Sequence, residues 1–241
     1  MNRIFNYDSK FSQTVIKLCY ACFLNLLWML CSLPVFTIGA STTALYYSCL
    51  KIVRNEEYNA ASMFFRSFKQ NFKQATVLWL ILLAAGIILG GDGYILWHLR
   101  RNSTGAPAVF WTLLLAVIIA AAVVYVIVLL YVFPLLASVD NTNLAMLKNS
   151  FLIGTHYLFS TILMFVIHFA MFWLIVSVFT PLFVFGEGLC ALICSWLLHN
   201  VLSSVAGDPE KQDIDDGADA DVFSREIELA INESFHIGPP I

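Results

Sequence analysis

Two pairs of cysteines have the spacing of metal ligands. Cys19 and Cys22 would share one helix face, and Cys190 and Cys194 are likewise one turn apart. Four thiolates could hold zinc. All six cysteines lie in apolar segments, however, where ionising a thiol is costly and Cys usually packs as a small hydrophobic residue. We therefore expect packing cysteines, no metal site and no cofactor.

Three ionisable residues interrupt otherwise apolar sequence. His168 falls in the middle of an apolar segment, where a packing role is favoured over a proton carrier. Asp92 follows Gly90 and Gly91, and we expect it near the outer end of the third span. Glu187 stands between two glycines, and we expect it in the outer turn between the fifth and sixth spans. Together they could form an acidic outer patch for a cation, a sugar or a partner protein, although two separate interfacial positions are favoured.

The sequence lacks the common catalytic motifs. It contains no Walker motif for ATP hydrolysis, no Gly-x-Ser-x-Gly and no His-Glu-x-x-His. We therefore expect a protein that is not an enzyme.

Long uncharged runs define the elements that must position these residues. Hydrophobic residues make up 60% of the chain and charged residues 12%, whereas soluble domains are roughly a quarter charged. Runs of this length match the roughly 20 apolar residues that a helix needs to cross a bilayer. The sequence predicts an all-α membrane protein, a bundle of about six transmembrane helices over residues 1–206. The predicted spans are roughly 15–33, 37–53, 75–97, 109–136, 157–180 and 182–205.

The second predicted span is short and rich in small polar residues, which favour close packing inside a bundle. The alternative is a re-entrant segment. A hairpin of the first two spans agrees with the charge distribution. With both termini in the cytoplasm, 11 of the 13 Lys and Arg lie inside, and only Arg100 and Arg101 lie outside.

A basic aromatic segment precedes the third span. Phe64, Phe68 and Phe72 recur at helical spacing, with basic residues between them. This pattern predicts an amphipathic cytoplasmic helix that can run into the third span. One interpretation is an anchor in the lipid headgroups; the other is a docking surface for another protein, formed by Phe64, Phe68, Asn71, Phe72 and Lys73.

The composition changes abruptly at Gly207. Ten acidic residues face two basic ones in residues 207–241, a net charge of −8. We expect a mostly disordered cytoplasmic tail, in which residues 222–235 could form one short amphipathic helix.

The N-terminal third resembles a known family. The residues that carry the likeness lie in five stretches: Asn25–Trp28, Ser32–Gly39, Ala44–Tyr46, Arg54–Glu57 and Phe64–Gln74. They resemble the YesL family of bacterial integral membrane proteins, which is associated with importers of complex carbohydrates. The likeness is specific over roughly residues 1–80. Its hairpin motif comprises Asn25, Trp28, Pro34, Thr37, Gly39 and Tyr46.

The resemblance implies an accessory membrane subunit of an ABC importer for oligosaccharides or other complex carbohydrates. Its expected partners are the permease subunits and membrane lipid, with no nucleic acid. Two alternatives stay open. A faint internal echo between the segments before the third and fifth spans suggests a self-sufficient transporter or channel built from a repeat. The acidic tail suggests a membrane-bound regulator.

Overall fold

The computed structural model describes residues 10–56, 59–139, 141–177 and 183–206. Within these ranges the chain is entirely helical. The helices are α1 (Lys10–Cys31), α2 (Ile38–Val53), α3 (Ala60–Arg101), α4 (Ala106–Leu136), α5 (Asn143–His156), α6 (Leu158–Ser177) and α7 (Phe183–Ala206). The predicted acidic tail lies outside the described residues.

Local sequence sets the helix ends. Pro34 follows α1 and precedes a single 3₁₀ turn, Val35–Thr37, because proline lacks the backbone donor that a helix would need. Asn59 caps α3, its side-chain oxygen accepting a hydrogen bond from the Ser62 amide at 3.2 Å. Gly105 takes a positive φ of 70° before α4, a conformation that glycine adopts without strain.

The long apolar helices confirm an all-helical, membrane-embedded protein. By length and composition, α1 (over Gln13–Cys31), α3, α4 and α6 are each able to cross a membrane. They correspond to the first, third, fourth and fifth predicted spans. The sixth corresponds to α7, whose apolar part, Phe185–Val201, is shorter. The basic aromatic segment runs without a break into the third span, as α3, of 42 residues.

The second predicted span is α2, a short helix of 16 residues, 11 of which are buried. It lies antiparallel to the first part of α3, because residues 54–59 join their adjacent ends and Gly39 packs against Ala75 and Trp79. α2 is about 24 Å long, less than the roughly 30 Å of a bilayer core. It also lies beside the basic part of α3. Both observations favour the re-entrant alternative.

The far part of α3 extends beyond this packed region. From Leu80 to Arg101 it continues for about 33 Å, close to one bilayer core. It packs against the first part of α4, and no residue from Leu83 to Leu130 is buried. We call residues 83–130 the distal hairpin. Its exposed apolar surface suits a lipid environment.

Helix α5 is absent from the sequence-based prediction. Its buried residues follow helical spacing and pack α5 against the end of α4; they are Met146, Asn149, Ser150, Ile153 and Gly154. At Tyr157 the chain leaves α5 and enters α6. The Thr161 hydroxyl contacts the Gly154 carbonyl at 2.7 Å and the Tyr131 hydroxyl at 3.1 Å, which ties α4, α5 and α6 together.

Candidate functional site

The α1–α2 hairpin is held by polar contacts among the motif residues. The Trp28 indole donates to the Thr42 hydroxyl at 3.0 Å, and the Ser32 and Ser41 hydroxyls are 2.6 Å apart. The Thr37 hydroxyl lies 2.6 Å from the carbonyl oxygens of both Cys31 and Pro34. The Thr37 hydroxyl thus satisfies the Cys31 carbonyl that the end of α1 leaves unpaired, which low-polarity surroundings would otherwise penalise.

Gly39 lets α2 approach α3 and α4 closely. A β-carbon added there would stand 2.5 Å from the Ala75 carbonyl oxygen, 2.6 Å from the Trp79 Cβ and 3.0 Å from the Phe133 ring. The Trp79 indole also donates to the Val35 carbonyl at 2.8 Å, so the hairpin tip is fixed to α3. The motif glycine is therefore a packing position, as close helix approach requires.

Asn25 joins α1 to α7. It is fully buried, and its side-chain oxygen accepts a hydrogen bond from the Gly188 amide at 2.8 Å. A β-carbon at Gly188 would collide with the Ala21 carbonyl and with Asn25 itself. Gly188 is a packing partner of Asn25 that the sequence-based prediction missed. The glycines on both sides of Glu187 were a signal for such a close approach.

Tyr46 joins α2 to α6. Its hydroxyl lies 3.4 Å from Nε2 of His168, whose Nδ1 lies 2.8 Å from the Met164 carbonyl. A carbonyl only accepts, so Nδ1 donates to the Met164 carbonyl, and Nε2 faces the tyrosine hydroxyl. The Cys194 sulfur lies 3.9 Å from Nδ1. His168 thus has partners on both ring nitrogens, as the packing interpretation expects.

Glu187 does not lie in a turn outside the helices. It falls within α7, partly buried, whereas Asp92 lies exposed on the distal hairpin. α7 packs against α1, α2 and α6, and this part of α3 packs against α4. The structure therefore does not bring the two carboxylates together into an outer patch.

The cysteine pairs also take different positions. Cys19 is exposed and Cys22 half-buried, whereas Cys49, Cys190 and Cys194 are buried, and all six are free thiols. Within the described residues, no three His, Cys, Asp or Glu side chains are grouped so that they could hold a metal ion.

The aromatic side chains predicted to bind a partner turn inward. Phe64 is fully buried, and Phe68 and Phe72 are partly buried in the core cluster that includes α2 residues. The Phe64 and Phe68 rings are stacked with centroids 6.2 Å apart, and the Phe68 and Phe72 rings meet edge to face with centroids 5.4 Å apart. The Asn71 amide is directed to the Ser67 hydroxyl at 3.3 Å. Of the five predicted docking residues, only Lys73 is exposed.

The opposite side of this segment faces outward. The exposed residues recur at helical spacing and comprise Phe65, Arg66, Lys69, Gln70 and Lys73. We call this surface the basic flank. It carries three positive charges beside one exposed aromatic ring, on a helix whose other face is fixed in the core. The structure therefore leaves the basic flank, and not the aromatic face, exposed on this segment.

The turn between α2 and α3 is ordered by charge and by backbone conformation. The Glu56 carboxylate forms an ion pair with the Lys51 ammonium group at 2.8 Å and lies 3.9 Å from the Arg54 guanidinium. Burial lowers the pKa of the Arg54 guanidinium, and the Glu56 carboxylate acts in the opposite direction. Asn55 has φ of 58°, a left-handed conformation that asparagine tolerates better than most residues. The quoted family motif thus includes a specific turn.

The hairpin, the turn and the basic flank all fall in one stretch of sequence. Residues 21–92 match the family model described as Protein of unknown function, DUF624. This is the YesL-type family that the motifs resemble. The match extends from the middle of α1 to Asp92 on α3. Comparisons with curated proteins and with solved structures find no match.

Proposed function

We propose that this chain is a non-enzymatic accessory subunit of an ABC importer for oligosaccharides or other complex carbohydrates. It would reside in the cell membrane with both termini in the cytoplasm. The observation that carries the proposal is the family match over residues 21–92, which coincides with the fixed hairpin and the exposed basic flank. The association with sugar import comes from the family resemblance alone.

The basic flank supports a subunit that docks on a partner. Its residues stand on one continuous helix, and the buried aromatic face below them holds that helix in place. Anionic lipid would attract each Lys or Arg with about 1 kcal/mol. Attraction to lipid accounts for the positive charges of the flank, but it gives no role to the neutral side chain of Gln70. A partner surface with carboxylates and hydrogen-bonding groups would bind both the positive charges and Gln70.

Two grooves between α3 and α4 bear on independent sugar transport, and the one of about 470 Å³, lined by Arg100, Arg101, Ser103 and Thr112 among apolar side chains, does offer polar groups. The other groove, of about 190 Å³, is lined by apolar side chains with Asp92 as the one polar exception. Oligosaccharides need several polar contacts from their site. This groove does not supply them.

Co-purification tests the proposal directly. The tagged protein is extracted in a mild detergent, and permease subunits encoded in the same cell are identified by mass spectrometry. Lys69→Glu with Lys73→Glu reverses two charges on the flank and should reduce permease recovery at least tenfold. Lys148→Glu is the matched control, because Lys148 is an exposed base on α5. It should retain the permease.

Membrane insertion separates docking from lipid anchoring. Both variants should remain in the membrane after alkaline extraction. If the double variant retains the permease, the flank is only an anchor. If no permease associates with the unaltered protein, and the purified protein alone moves oligosaccharide into liposomes, the proposed function is wrong.

A further inference from the structure

Asp92 is a carboxylate on the apolar surface of the distal hairpin. It lies five residues before Trp97, about 7.5 Å further into the span if that tryptophan marks the interface. Within the described residues, Asp92 has no ion-pair partner. Arg100 is the nearest Lys or Arg along α3, and it is engaged with the Thr112 hydroxyl at 3.0 Å and with the Trp97 ring. Charged groups inside membranes are almost always paired.

A groove opens beside this carboxylate. Its walls are Ile95 and Leu96 of α3 with Leu114, Val117 and Ile118 of α4, and Asp92 stands at its edge. The volume of about 190 Å³ exceeds that of one long side chain. A groove with apolar walls and one carboxylate suits the stem and charged head of Arg or Lys.

The helix surface next to Asp92 is open to a close approach. A β-carbon added at Gly90 or at Gly91 would meet nothing within 4 Å. Gly86 lies one turn before Gly90, and it already packs against the Tyr125 ring of α4. Among the described residues, none covers Gly90 or Gly91, which leaves room for another helix to approach closely. Small residues are the usual means by which membrane helices come together.

We propose that the face formed by Gly90, Gly91 and Asp92 binds a transmembrane helix of another membrane protein that carries a basic residue. The backbone of that helix packs on the two glycines, and its Arg or Lys enters the groove and pairs with Asp92. Charge decides the identity of this occupant. A second copy inserted in the same direction would place its own Asp92 at the same depth, so two like charges would meet. Lipid chains offer no cation.

This inference does not depend on the proposed function. The basic flank occupies residues 65–73, and Asp92 lies about 29 Å farther along α3 from Lys73. A negative result at the basic flank therefore does not count against binding at Asp92, and the reverse also holds.

A synthetic helix serves as the probe. The full-length protein, labelled at its C-terminus, is placed in phosphatidylcholine liposomes with a labelled leucine–alanine transmembrane peptide. Three peptides carry Arg, Leu or Asp five residues from a tryptophan-flanked end, and energy transfer measures their association. The Arg peptide should bind at least about tenfold more tightly than the Leu peptide, and the Asp peptide should not bind.

Variants of the protein locate the contact. Asp92→Asn keeps the shape and removes the charge, and Gly90→Leu fills the open surface; both should abolish the preference for Arg. Ala116→Leu adds a leucine side chain at an exposed position of α4, about 160° around that helix from the groove-lining Leu114 and Ile118, and it should retain the preference. Circular dichroism confirms that each variant is folded.

Two results would overturn the inference. Equal binding of the Arg and Leu peptides, or an Arg preference that survives in Asp92→Asn, would leave this face as a lipid-exposed surface. Energy transfer between two labelled copies of the protein that is lost in Gly90→Leu would identify a second copy as the occupant.

Discussion

Gly39 offers the sharpest test of the packed hairpin. In Gly39→Ala, the new methyl group would lie 2.5 Å from the Ala75 carbonyl oxygen and 2.6 Å from the Trp79 Cβ. Contacts between carbon atoms are comfortable at about 3.5–4.0 Å. α2 must therefore move away from α3 by about 1 Å, because a backbone carbonyl and a β-carbon cannot rotate aside.

The expected cost follows from two opposing effects. Overpacking a filled core typically costs about 1–3 kcal/mol. Replacing glycine by alanine within a helix recovers about 0.5–1 kcal/mol. We expect a net loss of about 1–2 kcal/mol for Gly39→Ala and a larger loss for Gly39→Leu. Gly91→Ala gains the helix preference without a collision, because nothing lies within 4 Å of its added carbon.

Thermal unfolding of the purified protein in detergent measures the difference. For a chain of this size, 1 kcal/mol corresponds to about 2–4 °C in Tm. Gly39→Ala should therefore lower Tm by about 2–8 °C, and Gly91→Ala should leave it unchanged or raise it slightly. Leu33→Val, at a side chain that is 75% exposed on the hairpin tip, is a second control that should change little. Equal Tm values for Gly39→Ala and Gly91→Ala would refute the close approach of α2 to α3.

Three further predictions address other parts of the chain. Asn25→Ala removes the hydrogen bond to the Gly188 amide and should lower the stability by about 1 kcal/mol in the same thermal assay, whereas Asn102→Ala, at an exposed position, should have no effect. Asn55→Val should cost about 1–2 kcal/mol because of the positive φ, and Asn55→Gly should be tolerated; equal stability of the two would argue against that backbone conformation. In a variant without its native cysteines, Thr104→Cys should react with an impermeant reagent added outside cells, and Leu33→Cys should not if the α1–α2 hairpin is re-entrant.

The helices could be predicted because hydrocarbon imposes a simple requirement on sequence. Backbone groups in lipid must bond internally, so an uncharged run such as 109–136 becomes a helix whatever its neighbours. The continuity of the basic segment with the third span was also predictable, since no helix breaker separates Lys73 from Ala75. These inferences need only local composition.

The partners of each helix could not be predicted in the same way. The spacing of Phe64, Phe68 and Phe72 identifies an aromatic face, but it does not say whether lipid, another protein or this chain covers that face. In the structure the face joins the core that includes α2, so the exposed flank is the basic one. The hydrogen bond between Asn25 and Gly188 joins residues 163 positions apart. The glycines beside Glu187 indicate a close approach, but no local pattern identifies Asn25 as the partner.

The depth of the α1–α2 hairpin shows why charge counting alone leaves part of the topology open. If two adjacent helices enter the membrane and return, the same 11 basic residues stay inside whether the hairpin crosses fully or stops part-way. The structure gives the depth of the hairpin tip relative to the basic flank. The tip is hydrogen-bonded to Trp79, and the flank ends at Lys73 on the same helix. The tip therefore lies about 9 Å along α3 beyond the last charge of the flank. If Lys73 marks the cytoplasmic interface, the tip ends in the near half of the bilayer, and α3 and α4 cross the remainder as the distal hairpin.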